Sequence, residues 1–149
     1  MIRILLTSVV VFLGSMFSIA QTETAKASAK DASIYAELTK APPKAVARRN
    51  PLEHDPNAVA AGGKLFGEHC AECHGESADG GKKGPSLRAD EVQRATPGTL
   101  FWLLTNGVVR RGMPVWSKLP EPQRWQLVSY IKSLGPASNS QTENQSSVR

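Results

Sequence analysis

Residues 70–74 read Cys70-Ala71-Glu72-Cys73-His74, followed by Gly75, and hold the only two cysteines of the 149-residue chain. Upstream, Asp55-Pro56 offers a capping side chain followed by a proline at the first helical position, where its missing N–H is not needed. From there Val59, Gly62, Phe66, Cys70 and Cys73 recur at spacings of three and four. That spacing predicts one helix from Pro56 to a stop at Gly75, with a small residue, an aromatic ring and both sulfurs on one face.

Four kinds of chemistry use a close cysteine pair. A dithiol redox motif needs its attacking cysteine at a helix N-terminus, where the dipole lowers the thiol pKa, whereas this pair falls near a helix end. A zinc site would draw His69, Cys70, Cys73 and His74 from five consecutive positions, with no second pair elsewhere to close a tetrahedron. A disulfide across a two-residue gap would constrain the unfolded chain very little. The fourth is covalent haem attachment, for which Cys-x-x-Cys-His is the signature. On one helical turn, residues i and i+3 present both thiols to one porphyrin edge, and residue i+4 turns its imidazole to the iron.

Two further helices are predicted. Thr96 caps a segment from Pro97 to Asn106 that carries Leu100, Phe101, Leu103 and Leu104 and ends at Gly107. A last one runs from Pro122 to Leu134, with Trp125, Leu127, Val128 and Ile131 toward a core and Gly135-Pro136 as its stop. No alternating segment reads as a strand, so the expected class is all-α. A core confined to residues 58–135 is small enough to need a staple, and a covalently tied porphyrin would serve. For a second axial ligand the chain offers His54, His69, Met113 and two methionines in its first twenty residues, Met1 and Met16. Met113 stands in Arg111-Gly112-Met113-Pro114, where glycine permits a close turn and proline stiffens the chain beyond the sulfur. The gap after His74 leaves room for a loop and a helix to bring the thioether to the opposite face. His69 directly precedes Cys70 and cannot reach that face. His54 lies in a turn, and both read as surface histidines.

The formal charge is +5, but residues 58–135 hold ten Lys/Arg against seven Asp/Glu, without a basic block or interleaved aromatics. Nucleic acid is not an expected partner. Residues 1–20 start with Arg3, continue through the apolar run Ile4 to Leu13 and end in Ser18-Ile19-Ala20, the pattern of a secretory signal peptide cut after Ala20. An uncleaved membrane tether is the competing reading. Residues 21–55, rich in Ala, Lys, Ser and Thr with Pro42-Pro43, are expected to be a flexible linker, residues 56–135 the folded domain, and residues 136–149 a disordered polar tail. Gly75 to Gly80 starts like a phosphate loop, yet Gly81 stands where a lysine is required.

The run Gly62-x-x-Leu65-Phe66-x-x-x-Cys70-x-x-Cys73-His74-Gly75, with Gly84-Pro85-x-Leu87, Gly112-Met113-Pro114-x-Trp116 and Leu127-Val128-x-Tyr130-Ile131, resembles class I c-type cytochromes, bacterial periplasmic ones especially. The resemblance implies a cytochrome c-like fold of about three to five helices around one covalent haem c. Cys70 and Cys73 would be the attachment points and His74 and Met113 the axial ligands, with the Pro85 carbonyl accepting a hydrogen bond from the His74 imidazole. The first and last helices would cross with Gly62 and Phe66 against Leu127 and Tyr130. It further implies an electron carrier rather than an enzyme. The expected form is a periplasmic monomer serving redox partners such as a dehydrogenase, an oxidase or a membrane respiratory complex, or else a dedicated subunit of one. A haem enzyme or gas sensor would require Met113 to be off the iron. Arg110, Arg111, Trp102 and Trp116 are candidate propionate contacts. Lys82, Lys83, Arg110, Arg111 and Lys118 could frame an exposed haem edge for acidic partners.

Overall fold

The computed structural model describes residues 35–135, which from Glu37 onward belong to one compact unit. The expected signal peptide, the linker before residue 35 and the polar tail lie outside the described residues. Six α-helices are present among the described residues: α1 (Pro43–Val46), α2 (Pro56–His69), α3 (Ala71–His74), α4 (Asp90–Arg94), α5 (Pro97–Asn106) and α6 (Glu121–Ser133). Two 3-10 turns, Ala36–Lys40 and Val109–Arg111, complete the set. There is no strand among the described residues, only an isolated antiparallel bridge between Val108 and Met113. The all-α expectation holds, and the three long helices are those read from the sequence, α6 shifted by one residue.

Local chemistry accounts for the helix starts. The Asp55 carboxylate accepts from the Asn57 N–H at 2.8 Å, and the Thr96 hydroxyl accepts from the Thr99 N–H at 3.2 Å. Each satisfies a donor that has no intrahelical partner, and a proline follows each cap. Helix α5 ends at Gly107, whose φ of 65° suits glycine.

Helices α2 and α6 cross at Gly62. A Cβ there would lie 2.0 Å from the Gln126 carbonyl oxygen and 2.8 Å from Tyr130 Cβ, so only glycine lets the two backbones approach this closely. One turn further on, Phe66 meets Tyr130 with ring centroids 5.2 Å apart. Among the described residues, Phe66, Leu127 and Val128 are the largest fully buried side chains. The predicted crossing is therefore present, with Gln126 and Tyr130 making the closest approach.

The expectation of a flexible linker through residue 55 is corrected. Residues 42–55 form a strap along α5 and α6. The Val46 carbonyl accepts from Thr96 Oγ1 at 3.0 Å, and a Cβ on Gly98 would strike the Ala45 carbonyl oxygen at 2.0 Å. Arg48 lays its guanidinium over Phe101 at 4.4 Å and Trp125 at 5.1 Å, rings that themselves stack at 4.0 Å. Its charge pairs with Glu121 at 2.6 Å. Buried Asn50 donates to Ser129 Oγ at 2.8 Å and accepts from the Leu52 N–H at 2.9 Å. Nearly all of these contacts are made by polar groups and backbone carbonyls. No apolar period exists to announce them, which is why the sequence read as linker.

A second unforeseen element is α4, which buries Val92. It fastens the loop after α3 to the end of α6. Gln93 donates to the Leu87 and Ile131 carbonyls at 2.7 and 3.0 Å, Lys132 donates to the Gln93 and Ala95 carbonyls, and Arg88 donates to the Leu134 carbonyl at 3.0 Å. Burial draws the Lys132 ammonium below its ordinary pKa.

Candidate functional site

The cysteine segment departs from the single helix expected. Cys70 still bonds back to the Phe66 carbonyl at 2.8 Å, but its backbone leaves helical geometry at φ −123°, ψ −33°. Its own carbonyl then receives the N–H groups of Cys73 and His74 at 3.1 and 3.0 Å. The motif is thus one separate helical turn, α3, set on the end of α2, with buried Ala71 anchoring it in the core and Gly75 at φ 81° ending it.

Both thiols are half-buried and unbridged. Burial, with a smaller contribution from Cys73, pushes the Cys70 thiol up to about 11. A redox-active cysteine needs the opposite shift. Among the described residues no group of three or more His, Cys, Asp or Glu side chains converges as a metal site. Nothing in this geometry favours the dithiol or zinc alternatives.

The His74 imidazole is held from one side. Its Nδ1 lies 2.8 Å from the Pro85 carbonyl oxygen. That oxygen can only accept, so Nδ1 carries the proton and the lone pair is left on Nε2. The loop that supplies Pro85 is shaped by close backbone approaches. Gly80 has φ 93° and donates to the His74 carbonyl at 2.8 Å, Gly81 donates to the Gly84 carbonyl at 2.9 Å, and Leu87 donates to the Ala78 carbonyl at 2.9 Å. A Cβ on Gly84 would come within 3.0 Å of His74 Cε1, His74 Nδ1 and the Cys73 carbonyl oxygen. Gly84, which entered the sequence reading only as part of the Gly84-Pro85-x-Leu87 motif, is thus a residue of this site.

Met113 lies in a different loop and is half-buried. Val108 and Met113 exchange backbone hydrogen bonds at 3.0 and 3.2 Å, closing the loop at its base. Gly112 supplies a left-handed turn, φ 87°. A Cβ on Gly107 would strike the Pro114 carbonyl oxygen at 2.6 Å. Beyond Met113, Trp116 donates its backbone N–H to the Leu104 carbonyl of α5 at 3.0 Å. Its indole meets the His69 ring at 5.3 Å between centroids. His69, read as an ordinary surface histidine, therefore touches the Met113 loop, and no sequence signal marks a contact between positions so far apart.

The structure thus places Cys70, Cys73 and His74 on one turn with Pro85 bonded to the imidazole, and Met113 on a separately anchored loop. Of the basic residues expected to frame this region, Lys83 pairs with Glu72 at 2.6 Å, and Arg110 and Arg111 contribute to holding the Glu37 carboxyl below its ordinary pKa, mainly an effect of Lys40. The donor set suits a haem: two thiols one helical turn apart, an imidazole with its free lone pair on Nε2, and a thioether.

The model of the family described as cytochrome C oxidase, cbb3-type, subunit III matches residues 57–131. The cbb3-type cytochrome c oxidase subunit CcoP of Rubrivivax gelatinosus is 31% identical over 125 residues, covering 83% of this chain and 39% of that protein. Subunit FixP of Bradyrhizobium sp. (strain ORS 278) is 37% identical over 83 residues, covering 52% and 28%. The chain thus spans two fifths or less of the length of these relatives. Among solved structures, cytochrome cL of the marine methylotroph Methylophaga aminisulfidivorans aligns with a TM-score of 0.51 at 27% identity, covering 57% of this chain and 58% of that one. With the matched model spanning α2 to α6, the chain belongs to the cytochrome c oxidase, cbb3-type, subunit III family and is a c-type cytochrome.

Proposed function

We propose that this chain is the electron-transferring cytochrome subunit of a membrane respiratory oxidase, holding one covalent haem c in the periplasm. The observation that carries the haem assignment is the bond between His74 Nδ1 and the Pro85 carbonyl. It fixes the tautomer, aims Nε2, and raises the donor strength of the ring. The subunit assignment draws support from the relatives, named as subunits of cbb3-type oxidases. A freely diffusing carrier is the second reading; it draws on the likeness to cytochrome cL, a chain not named as an oxidase subunit.

In this reading Cys70 and Cys73 would hold the haem through thioether bonds, and His74 Nε2 and Met113 Sδ would be the donors to its iron. Bound there, the haem supplies a one-electron ferric/ferrous couple. The chain's own residues do the rest. Cys70 and Cys73 sit on a turn whose orientation Ala71 secures in the core. Gly84 admits the imidazole against the loop backbone, and Pro85 holds the proton on Nδ1. Met113, carried on a loop closed at Val108, would hold the haem iron through its thioether, a donor that suits outer-sphere transfer and would raise the potential relative to a second histidine. The secretory pattern of residues 1–20 provides the export that this placement requires.

A pyridine-haemochrome spectrum with intact mass on the purified protein tests the cofactor: one haem, retained after denaturation, is expected. Met113→Ala should keep the covalent haem yet bind carbon monoxide rapidly when reduced, and slow binding equal to the unaltered protein would remove Met113 from the iron. Mild detergent extraction from the native membrane separates the two functional readings. Co-purification with a large oxidase chain is expected, whereas a monomer that reduces an oxidase while diffusing freely would select the carrier.

A further inference from the structure

The Met113 loop carries two exposed apolar side chains. Val109 is 68% exposed and Val115 46% exposed, on either side of Met113. The contacts that restrain the loop include the Val108–Met113 bridge at its base, the Trp116 N–H on the Leu104 carbonyl, and the Trp116 indole against His69. The first is internal to the loop. The second ties it to α5. The third ties it to α2, at the residue before Cys70.

We propose that His69 is a positioning residue whose ring, laid on Trp116, latches the Met113 loop to the end of the helix that carries the cysteines. The inference rests on the reading of Met113 as an axial donor. The rings are 5.3 Å apart and inclined at 43°, a separation within the range of interacting ring pairs. Also near the imidazole is the Glu68 carboxylate, 3.9 Å from Nε2, too far for a hydrogen bond. The useful property of His69 is therefore its ring rather than its charge. Because α3 starts immediately after Cys70, a contact at His69 couples the loop that brings the sulfur to the turn that brings the imidazole. Losing it should let the loop leave more often, exposing the sixth position to small ligands, without disturbing the His74 side.

The test uses the purified haem-loaded chain with imidazole as probe. The ferric protein should show the charge-transfer band of sulfur ligation, and imidazole should bind at a rate set by loop opening. His69→Ala should raise that rate about fivefold, the loss expected for one aromatic pair, with weakening of the sulfur band. His69→Phe, which keeps a ring, should restore both. Glu68→Gln should leave both unchanged. A His69→Ala rate within twofold of the unaltered protein, or a His69→Phe protein that fails to recover, overturns the latch while leaving Met113 ligation standing. An unaltered protein without the sulfur band that binds imidazole at once overturns the ligation, and the latch with it. Should His69→Ala not fold, His69→Gln removes the ring at similar length and reads the same contrast.

Discussion

Two identical chemical changes on one helix should have opposite effects. Gly62 and Gly67 both lie in α2, and in each Gly→Ala adds one methyl group and gains about 1 kcal/mol of helix propensity. At Gly67 nothing lies within 4 Å of the new Cβ. Gly67→Ala should therefore stabilise the domain by about 0.5–1 kcal/mol. At Gly62 the new Cβ would sit 2.0 Å from the Gln126 carbonyl oxygen and 2.6 Å from its carbon, well inside ordinary contact. Both are backbone atoms, so no rotamer change relieves the clash and α6 itself must move. Overpacking of this kind costs about 1–3 kcal/mol or more. Because the displaced α6 also carries Tyr130 away from Phe66 and loosens the turn that holds buried Leu127 and Val128, the upper end applies. The net loss is about 2 kcal/mol, which for a domain of this size lowers the melting temperature by about 10 °C. Thermal melts of the haem-loaded proteins, followed by far-ultraviolet circular dichroism, measure both. A Gly62→Ala protein melting at or above the unaltered one would refute the close crossing of α2 and α6.

Two further outcomes depend on particular contacts. Asn50→Ala removes the donor to Ser129 Oγ, which keeps its bond to the Leu52 carbonyl, and leaves the Leu52 N–H without its partner, so urea unfolding should show a loss of about 1–3 kcal/mol; a change under about 0.5 kcal/mol would return the strap to the status of a linker. In protein made without haem and held folded by a stabilising osmolyte in place of that staple, the Cys70 thiol is pushed from its ordinary 9.0 to about 11. Between those values the folded chain holds more protons than the unfolded chain, so stability is intact below about pH 9 and falls as pH rises toward about 11. Urea midpoints across that window should decline, and Cys70→Ser should flatten the decline.

What could be read directly from the chain was whatever depended on neighbours in sequence. The caps at Asp55 and Thr96, the prolines after them and the apolar spacing of α5 and α6 are local chemistry, and those helices stand where that chemistry puts them. The Cys70 to His74 run carried its own geometry too, because one helical turn suffices to group two sulfurs and an imidazole. The break at Cys70 was not legible, since nothing local forbids the helix from continuing. The Pro85 contact came from a family resemblance rather than from spacing.

Only the tertiary structure decided which polar and small residues matter. Arg48 and Asn50 have no place in a hydrophobic pattern, yet they bind the strap to Phe101, Trp125 and Ser129. Gly84 resembles any turn glycine until the His74 ring is seen against it. His69 reads as a surface histidine until Trp116 arrives from a distant loop. Apolar periodicity reports burial along one element, whereas these roles depend on pairs of elements meeting. The Cys-x-x-Cys-His segment, with the resemblance around it, thus pointed to a haem site, and the fold decided what holds His74 and the Met113 loop in place.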